Sequence, residues 1–328
     1  MGESGESLGD AKDALDAPVF LVGTTRSGTT VLSLMLGSHP DLADLGEFEW
    51  PWDFQTDQDR PDLDAYHRWL ETNRHFNHHS LETDRALPFE DLVRSFLEQM
   101  WEGADPEHSS GAVVTQVHRH YEKALRLWPN ARFIHIVRDG RDVCASWLKF
   151  AWLGNGYQAG HVWKAAIQEW REAQAHIDPA NMIEIRFENL IQNVEPELER
   201  LCTFLGRDYD DAMLRYHENS TYSPIDPNQA GKWQTGLDQR DLRLFESVAG
   251  DELESQGYAR SDAPPYTHRP WSKLWLRLDD AIRHNRGRIE NYGLSIWFWD
   301  HLSRRIPVSG IRDAVQLRIN AVENARMK

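Results

Sequence analysis

The chain has 328 residues and a mass of 38.1 kDa, enough for one large α/β domain or one domain with an extension. Apolar residues make up 40%, mean hydropathy is -0.64, and no uncharged apolar run approaches the roughly 18 residues of a membrane span, so a transmembrane protein is excluded. The net charge of -16, from 36 Lys and Arg against 52 Asp and Glu, repels polyanions, and no nucleic-acid partner is expected without a strong local basic patch.

Residues 1–17 are acidic and small, have neither the basic start nor the apolar middle of a signal peptide, and read as a flexible tail. From Pro18 the run PVFLV predicts a buried strand, followed by the turn-rich GTTRSGTT and a helix with the apolar spacing of VLSLML. Residues 45–115 carry many aromatics among charged residues and read as a helical and loop insertion, expected on the acceptor side. The same strand, turn, helix order returns at RFIHIV (132–137), RDGR and DVCASWLKF, and a third strand, MIEIRF (182–187), leads into helical ENLIQNVEPELERLCTFLG. Strands alternating with helices predict an α/β fold: a P-loop-like central parallel sheet of about five strands flanked by helices. The Pro-rich ARSDAPPYTHRP marks a linker, so residues 18–260 form the main domain and 261–328 a helical, Trp-rich extension. The two cysteines, Cys144 and Cys202, permit no disulfide framework or zinc ribbon and fit a reducing compartment, so a cytoplasmic location is expected.

The segment Gly23–Thr30 sits between a strand and a helix, where successive backbone N–H groups form an anion nest. Gly23 and Gly28 have Walker A spacing, but Thr29 occupies the lysine position, which argues against an ordinary ATPase. Arg26 supplies the cation from inside the loop, flanked by Ser27 and Gly28, and the Thr29 and Thr30 hydroxyls stand in the first helical turn. The plain alternative is a capped strand-to-helix turn. A second anion site is expected where Arg138 ends a strand and Ser146 follows eight residues on, at the carboxyl edge of the sheet, with Arg141 nearby. Alternatively Arg138 simply pairs with Asp139 or Asp142.

Together GTTRSGTTVL (23–32) and FIHIVRDGRDVCASW (133–147) resemble the two nucleotide-binding segments of sulfotransferases that use 3'-phosphoadenosine 5'-phosphosulfate (PAPS). Segments 185–206 and 231–258 are similar to bacterial and Golgi-type members, including protein-tyrosine sulfotransferases, so the likeness spans about residues 18–260. The resemblance implies that Arg26 and the loop hold the 5'-phosphosulfate, that Arg138 and Ser146 take the 3'-phosphate, and that Lys232 and Trp233 form a further nucleotide-contacting loop. It also implies a sulfuryl acceptor carrying a hydroxyl, a small molecule or glycolipid head, a 3',5'-bisphosphoadenosine (PAP) product and no required metal. Glu47, in LGEFEW, is the expected general base, with Glu49 in reserve. The lysine that many relatives carry before the second segment is missing from VVTQVHRHY, and His118, Arg119 or His120 is expected to replace it, with His118 assigned to the catalytic set. Phe187 stands where relatives have Tyr, offering an aromatic face for adenine, and Gly231 replaces a Ser before Lys232. The rival readings are a kinase with a variant phosphate loop, disfavoured by Thr29 and the lack of a Walker B Asp, and a non-catalytic nucleotide-binding scaffold.

The remaining motifs point elsewhere. His75, His78 and His79 read as a solvated helix face, and Cys144 as a small buried hydrophobe. Trp271, Trp275, Leu278 and Ile282 lie at helical spacing, and core packing or homodimerisation accounts for them better than a membrane surface.

Overall fold

The computed structural model describes residues 14–54, 61–104, 111–267, 271–303, 305 and 309–326. The strands are β1 (Val19–Val22), β2 (Leu42–Glu47), β3 (Ala112–Val117), β4 (Arg132–Val137) and β5 (Met182–Arg186). The principal helices are α1 (Thr29–Gly37), α2 (Phe89–Glu102), α3 (Gly140–Lys149), α4 (Gly156–Gln174), α5 (Val194–Leu205), α6 (Gln239–Ser255), α7 (Ser272–Tyr292), α8 (Leu294–Ser303) and α9 (Ser309–Arg326). The chain divides into two compact units: residues 1–138 with 166–230, and residues 139–165 with 231–328. The extension from 261 therefore belongs with two earlier segments.

The first unit holds a five-stranded sheet, all parallel, in the order β2-β3-β1-β4-β5. Val22 lies level with Val117 and His135, so β1 and β3 finish together, β4 runs on to Val137, and their carboxyl ends form one edge. Side chains alternate across the sheet as a strand period of two requires. Phe20, Val22 and Phe133 enter one buried cluster, whereas Val19, Leu21, Ile134 and Ile136 enter the other.

Two strands were not visible as apolar runs. In β2, Asp44 is half-buried, accepts from Ser33 Oγ at 2.6 Å and from Gly46 N–H at 3.1 Å, and desolvation raises its pKa despite those bonds. In β3, the Gln116 amide donates to Ser33 Oγ at 2.9 Å. Polar residues that satisfy one another take core positions here, so the expected insertion (45–115) is confined between β2 and β3. Three of its aromatics, Phe48, Trp50 and Trp52, are buried and meet edge to face, with Phe48 centroids 6.0 and 5.8 Å from the two indoles.

Within the expected tail, residues up to 13 lie outside the described residues. Ala14 and Leu15 pack on the core, and Leu15 C=O accepts from Trp128 Nε1 at 3.0 Å, so structure starts before Pro18.

In the second unit, Gly140 at the start of α3 gives room to Trp163 and Phe245; a Cβ there would lie 2.5 Å from the indole. Asp238 caps α6 by accepting from Asp241 N–H at 2.7 Å. Helix α7 is held through Asn155 Nδ2, which donates to Leu276 C=O at 2.8 Å, and through Gly154 N–H, which donates to Asp280 at 2.7 Å. Trp271, Trp275 and Ile282 of this region are exposed rather than packed into the core of their own chain. Among the described residues no helix is long and apolar enough to cross a membrane.

Candidate active site

Every strand of the sheet hands a site residue to the carboxyl edge: the phosphate loop follows β1, Glu47 ends β2, His118 follows β3, Arg138 follows β4 and Phe187 follows β5. Parallel α/β sheets bind ligands at this edge because loops and helix N-termini converge there.

The loop after β1 has the backbone geometry that suits an anion. Gly28, at φ 104, precedes α1 without offering a capping side chain, so the first-turn N–H groups are presented to a ligand. Arg26 is half-buried with φ 72, a left-handed conformation that turns the backbone into a concave run of N–H groups. Ser27 is turned inward: its hydroxyl donates to Thr24 C=O at 2.6 Å and its N–H to the same oxygen at 3.1 Å. Its side chain therefore shapes the loop, whereas Thr30 is half-buried at its surface.

Thr29 connects the loop to an acid-histidine cluster. His118 Nε2 lies 3.2 Å from Thr29 Oγ1, and its Nδ1 lies 3.0 Å from Glu49 Oε2. Glu49 is buried and also accepts from the His118 backbone N–H at 3.1 Å and pairs with Arg119 at 3.2 Å. Burial opposes charge on both partners, yet Glu49 and then Glu47 raise the His118 pKa, while His118 and Arg119 lower that of Glu49. Each partner thus favours the charged form of the other. Of the three residues expected to replace the missing lysine, only His118 reaches the loop: Arg119 is gripped by Asp53 and Glu49, and the His120 N–H is bonded to Glu169.

Glu47 is the more accessible acid, its side chain 43% exposed against 9% for Glu49. Burial raises its pKa, with His118 opposing. His75 Nε2 lies 3.5 Å from its carboxylate, and burial with the nearby Arg74 lowers the His75 pKa to about 4, so this contact involves a neutral ring. The sequence pattern placed His75 on a solvated face; only the buried Phe76 beside it marks the helix as docked.

Arg138 reaches back toward the loop after β1. Its Nη1 donates to Arg26 C=O at 3.2 Å, its Nη2 to Gln229 C=O at 2.9 Å, and its guanidinium lies 4.2 Å over the Phe187 ring. Phe187, 5% exposed, in turn abuts Gly28. The ring carries Arg138 toward the loop, so one face expected for adenine is occupied by a guanidinium.

In the second unit, Asp139 caps α3 by accepting from Arg141 N–H at 2.9 Å and holds the Arg141 guanidinium at 2.7 Å, while Glu246 takes its other arm at 3.1 Å. Arg141 is therefore structural and stacks 4.0 Å above the Trp233 ring. Asp142 accepts from Gly231 N–H at 2.9 Å and Trp233 N–H at 2.7 Å, which fixes the loop bearing the exposed Lys232. Gly231, at φ 72, suits that turn. Ser146 is half-buried on α3, and Cys144 is fully buried with its thiol pKa raised by burial. Replacing Asp142 with Ala strands two amides, and we expect hydrogen exchange at Gly231 and Trp233 to accelerate by about tenfold or more, on the order of one lost charge-assisted bond. Unchanged exchange would show that other contacts hold the loop.

A family model described as the sulfotransferase family matches residues 18–211, more than half the chain. The chain belongs to the sulfotransferase family. Protein-tyrosine sulfotransferase A of Caenorhabditis elegans is 22% identical over 290 residues, covering 81% of this chain and 73% of that protein. Protein-tyrosine sulfotransferase 1 of Danio rerio is 22% identical over 280 residues, covering 77% and 75%. The solved sulfotransferase domain from the curacin biosynthetic pathway superposes with a TM-score of 0.55 at 17% identity, covering 75% of this chain and 99% of that domain. This sulfotransferase thus has the family's five-stranded parallel core.

Proposed function

We propose that this sulfotransferase moves a sulfuryl group from PAPS to the hydroxyl of a small-molecule or glycolipid-like acceptor, with Glu47 as general base. The observation that carries this reading is the Arg138 guanidinium seated on the Arg26 carbonyl, 3.2 Å away, so that β4 delivers a cation to the loop that leads into an uncapped helix N-terminus. In a molecule of net charge -16, such a cationic cradle suits a compact dianion. The donor supplies an activated sulfuryl group on a phosphate leaving group. Arg26 and the α1 amides bind the phosphosulfate oxygens, and Arg138, held by Phe187, takes the 3'-phosphate. Ser146, Lys232 and Trp233 are assigned to the nucleotide by resemblance alone.

Glu47 removes the acceptor proton as the acceptor oxygen forms its bond to sulfur and the sulfur–phosphate oxygen bond breaks. Its raised pKa makes it a stronger base than an ordinary carboxylate, and its exposure leaves it reachable. Glu49 is a poorer base because three donors hold it ionised. It keeps His118 charged, and His118 stands beside Thr29, at the position of the absent lysine, to counter charge growing on the leaving phosphate. No metal ligand is needed in this scheme. A reducing, cytoplasmic setting is proposed from the two-cysteine composition.

The test is calorimetric and chemical. PAP at 100 times its dissociation constant should stabilise the protein by about 2.7 kcal/mol, and labelled PAPS should transfer label to hydroxylated acceptors. Greater stabilisation by magnesium-ATP than by PAP would instead support the kinase. The pH profile of kcat should be a bell: activity rises through a Glu47 pKa above 4.5 and falls as His118 loses its proton above 6.5. His118→Gln should remove the upper limb; a limb unchanged in that variant would take His118 out of the charged role.

A further inference from the structure

Helix α7 is amphipathic in an unusual sense. Leu276, Asp280 and Gly287 face the segment 151–155 of their own unit: Leu276 and Asp280 through the Asn155 and Gly154 bonds, and Gly287 so closely that a Cβ would lie 2.1 Å from that of Ala151. Half a turn away, Trp271, Leu274, Trp275, Leu278 and Ile282 form a stripe at i, i+3, i+4, i+7 and i+11. Trp271 is 75% exposed, Trp275 69% and Ile282 69%. The stripe runs into a groove lined by Leu278, Ile282, Ile289 and Trp297, and α8 adds the exposed Leu294, Phe298 and Trp299. So large an apolar face on the outside of a helical segment marks a docking surface.

Charge decides what docks. Residues 269–328 carry 12 Lys and Arg against 6 Asp and Glu, whereas residues 1–268 carry 24 against 46. Residues 269–328 are thus a basic, tryptophan-rich segment of an acidic chain. Asp279, Glu290 and Asp300 are each neutralised by Arg283, Arg286 and Arg288. Lys273, Arg277, Arg305, Arg312 and Arg318 are exposed. A second copy docked isologously would bring two copies of the same cationic surface together. A nucleic acid would satisfy the cations and leave the leucines and isoleucine in water. An anionic lipid surface accepts indole rings and alkyl groups at the level of its headgroups and attracts the flanking Lys and Arg.

We propose that α7 and α8 dock this protein on an anionic phospholipid surface, with Trp271, Trp275 and Ile282 inserted and Lys273 and Arg277 against the headgroups. The full-length protein should float with phosphatidylserine-containing vesicles, not with phosphatidylcholine vesicles, and added salt should weaken the association. The pair Trp271→Ala with Trp275→Ala, and separately Lys273→Glu with Arg277→Glu, should each cut vesicle-bound protein by about tenfold or more, with circular dichroism unchanged. The charge-reversal pair keeps the apolar face intact and serves as the test where the tryptophan pair fails to fold. Absence of flotation with anionic vesicles, or flotation indifferent to both pairs, would overturn the proposal. It would also be overturned by a dimer that Trp271→Ala with Trp275→Ala dissolves while vesicles remain unbound, or by retention of oligonucleotides in preference to vesicles.

Discussion

Arg26→Ala should lower kcat/KM by roughly 10²–10³, about 2.7–4 kcal/mol of transition-state stabilisation, while the protein stays folded. The loop around Arg26 is fixed by backbone bonds, Ser27 to Thr24, and by the left-handed turn at residue 26, none of which uses the guanidinium. Alanine in that turn bears the same backbone strain as arginine, so thermal stability should change little. Arg26→Lys should recover only part of the loss, since an ammonium keeps the charge without the planar fork. Steady-state kinetics with PAPS decide the matter: near-normal turnover in a folded Arg26→Ala protein would remove Arg26 from the reaction.

The second large effect is expected at Gly28. Its φ of 104 is one that L side chains rarely adopt, and a Cβ there would lie 2.4 Å from Phe187 Cδ2 and 2.8 Å from Cε2. Gly28→Ala therefore either distorts the loop or pushes away the ring on which Arg138 rests. We expect a stability loss of about 1–3 kcal/mol and a fall in PAP affinity on the order of a hundredfold. Adding Phe187→Ala relieves the collision but leaves the dihedral strain and empties a buried site, so the stability loss of the double variant should be smaller than the sum of the two single losses, with affinity not regained. Recovery of both would assign the whole effect to steric overlap and would separate Phe187 from Arg138.

The parts of the site legible in the sequence were those carried by contiguous residues. The run PVFLV before GTTRSGTT gave strand, loop and helix, and RFIHIV before RDGR gave the strand that delivers Arg138. What could not be read depends on partners far along the chain. Strand β2 looked like a loop because Asp44 and Gly46 interrupt it, yet Ser33 and a backbone amide make Asp44 tolerable there. Glu49 looked like a reserve base, and becomes the holder of His118, 69 residues away, only after β2 and β3 pair. His75 is a member of a histidine-rich stretch until folding sets it against Glu47. Arg141 and Arg138, three residues apart, could not be sorted by sequence; Asp139 and Glu246 claim the first, and Phe187 supports the second.

The strand-tip arrangement separates two tasks along the polypeptide. On the proposed reading, donor recognition draws on short connections after β1, β4 and β5, whereas the long excursion between β2 and β3 begins beside Glu47 and holds neither Arg26 nor Arg138. Lineages exploring new acceptors can therefore remodel that excursion by insertion, deletion or exchange while the machinery for the shared donor is inherited unchanged. Chimeras exchanging it between relatives would inherit one donor and diverge in product.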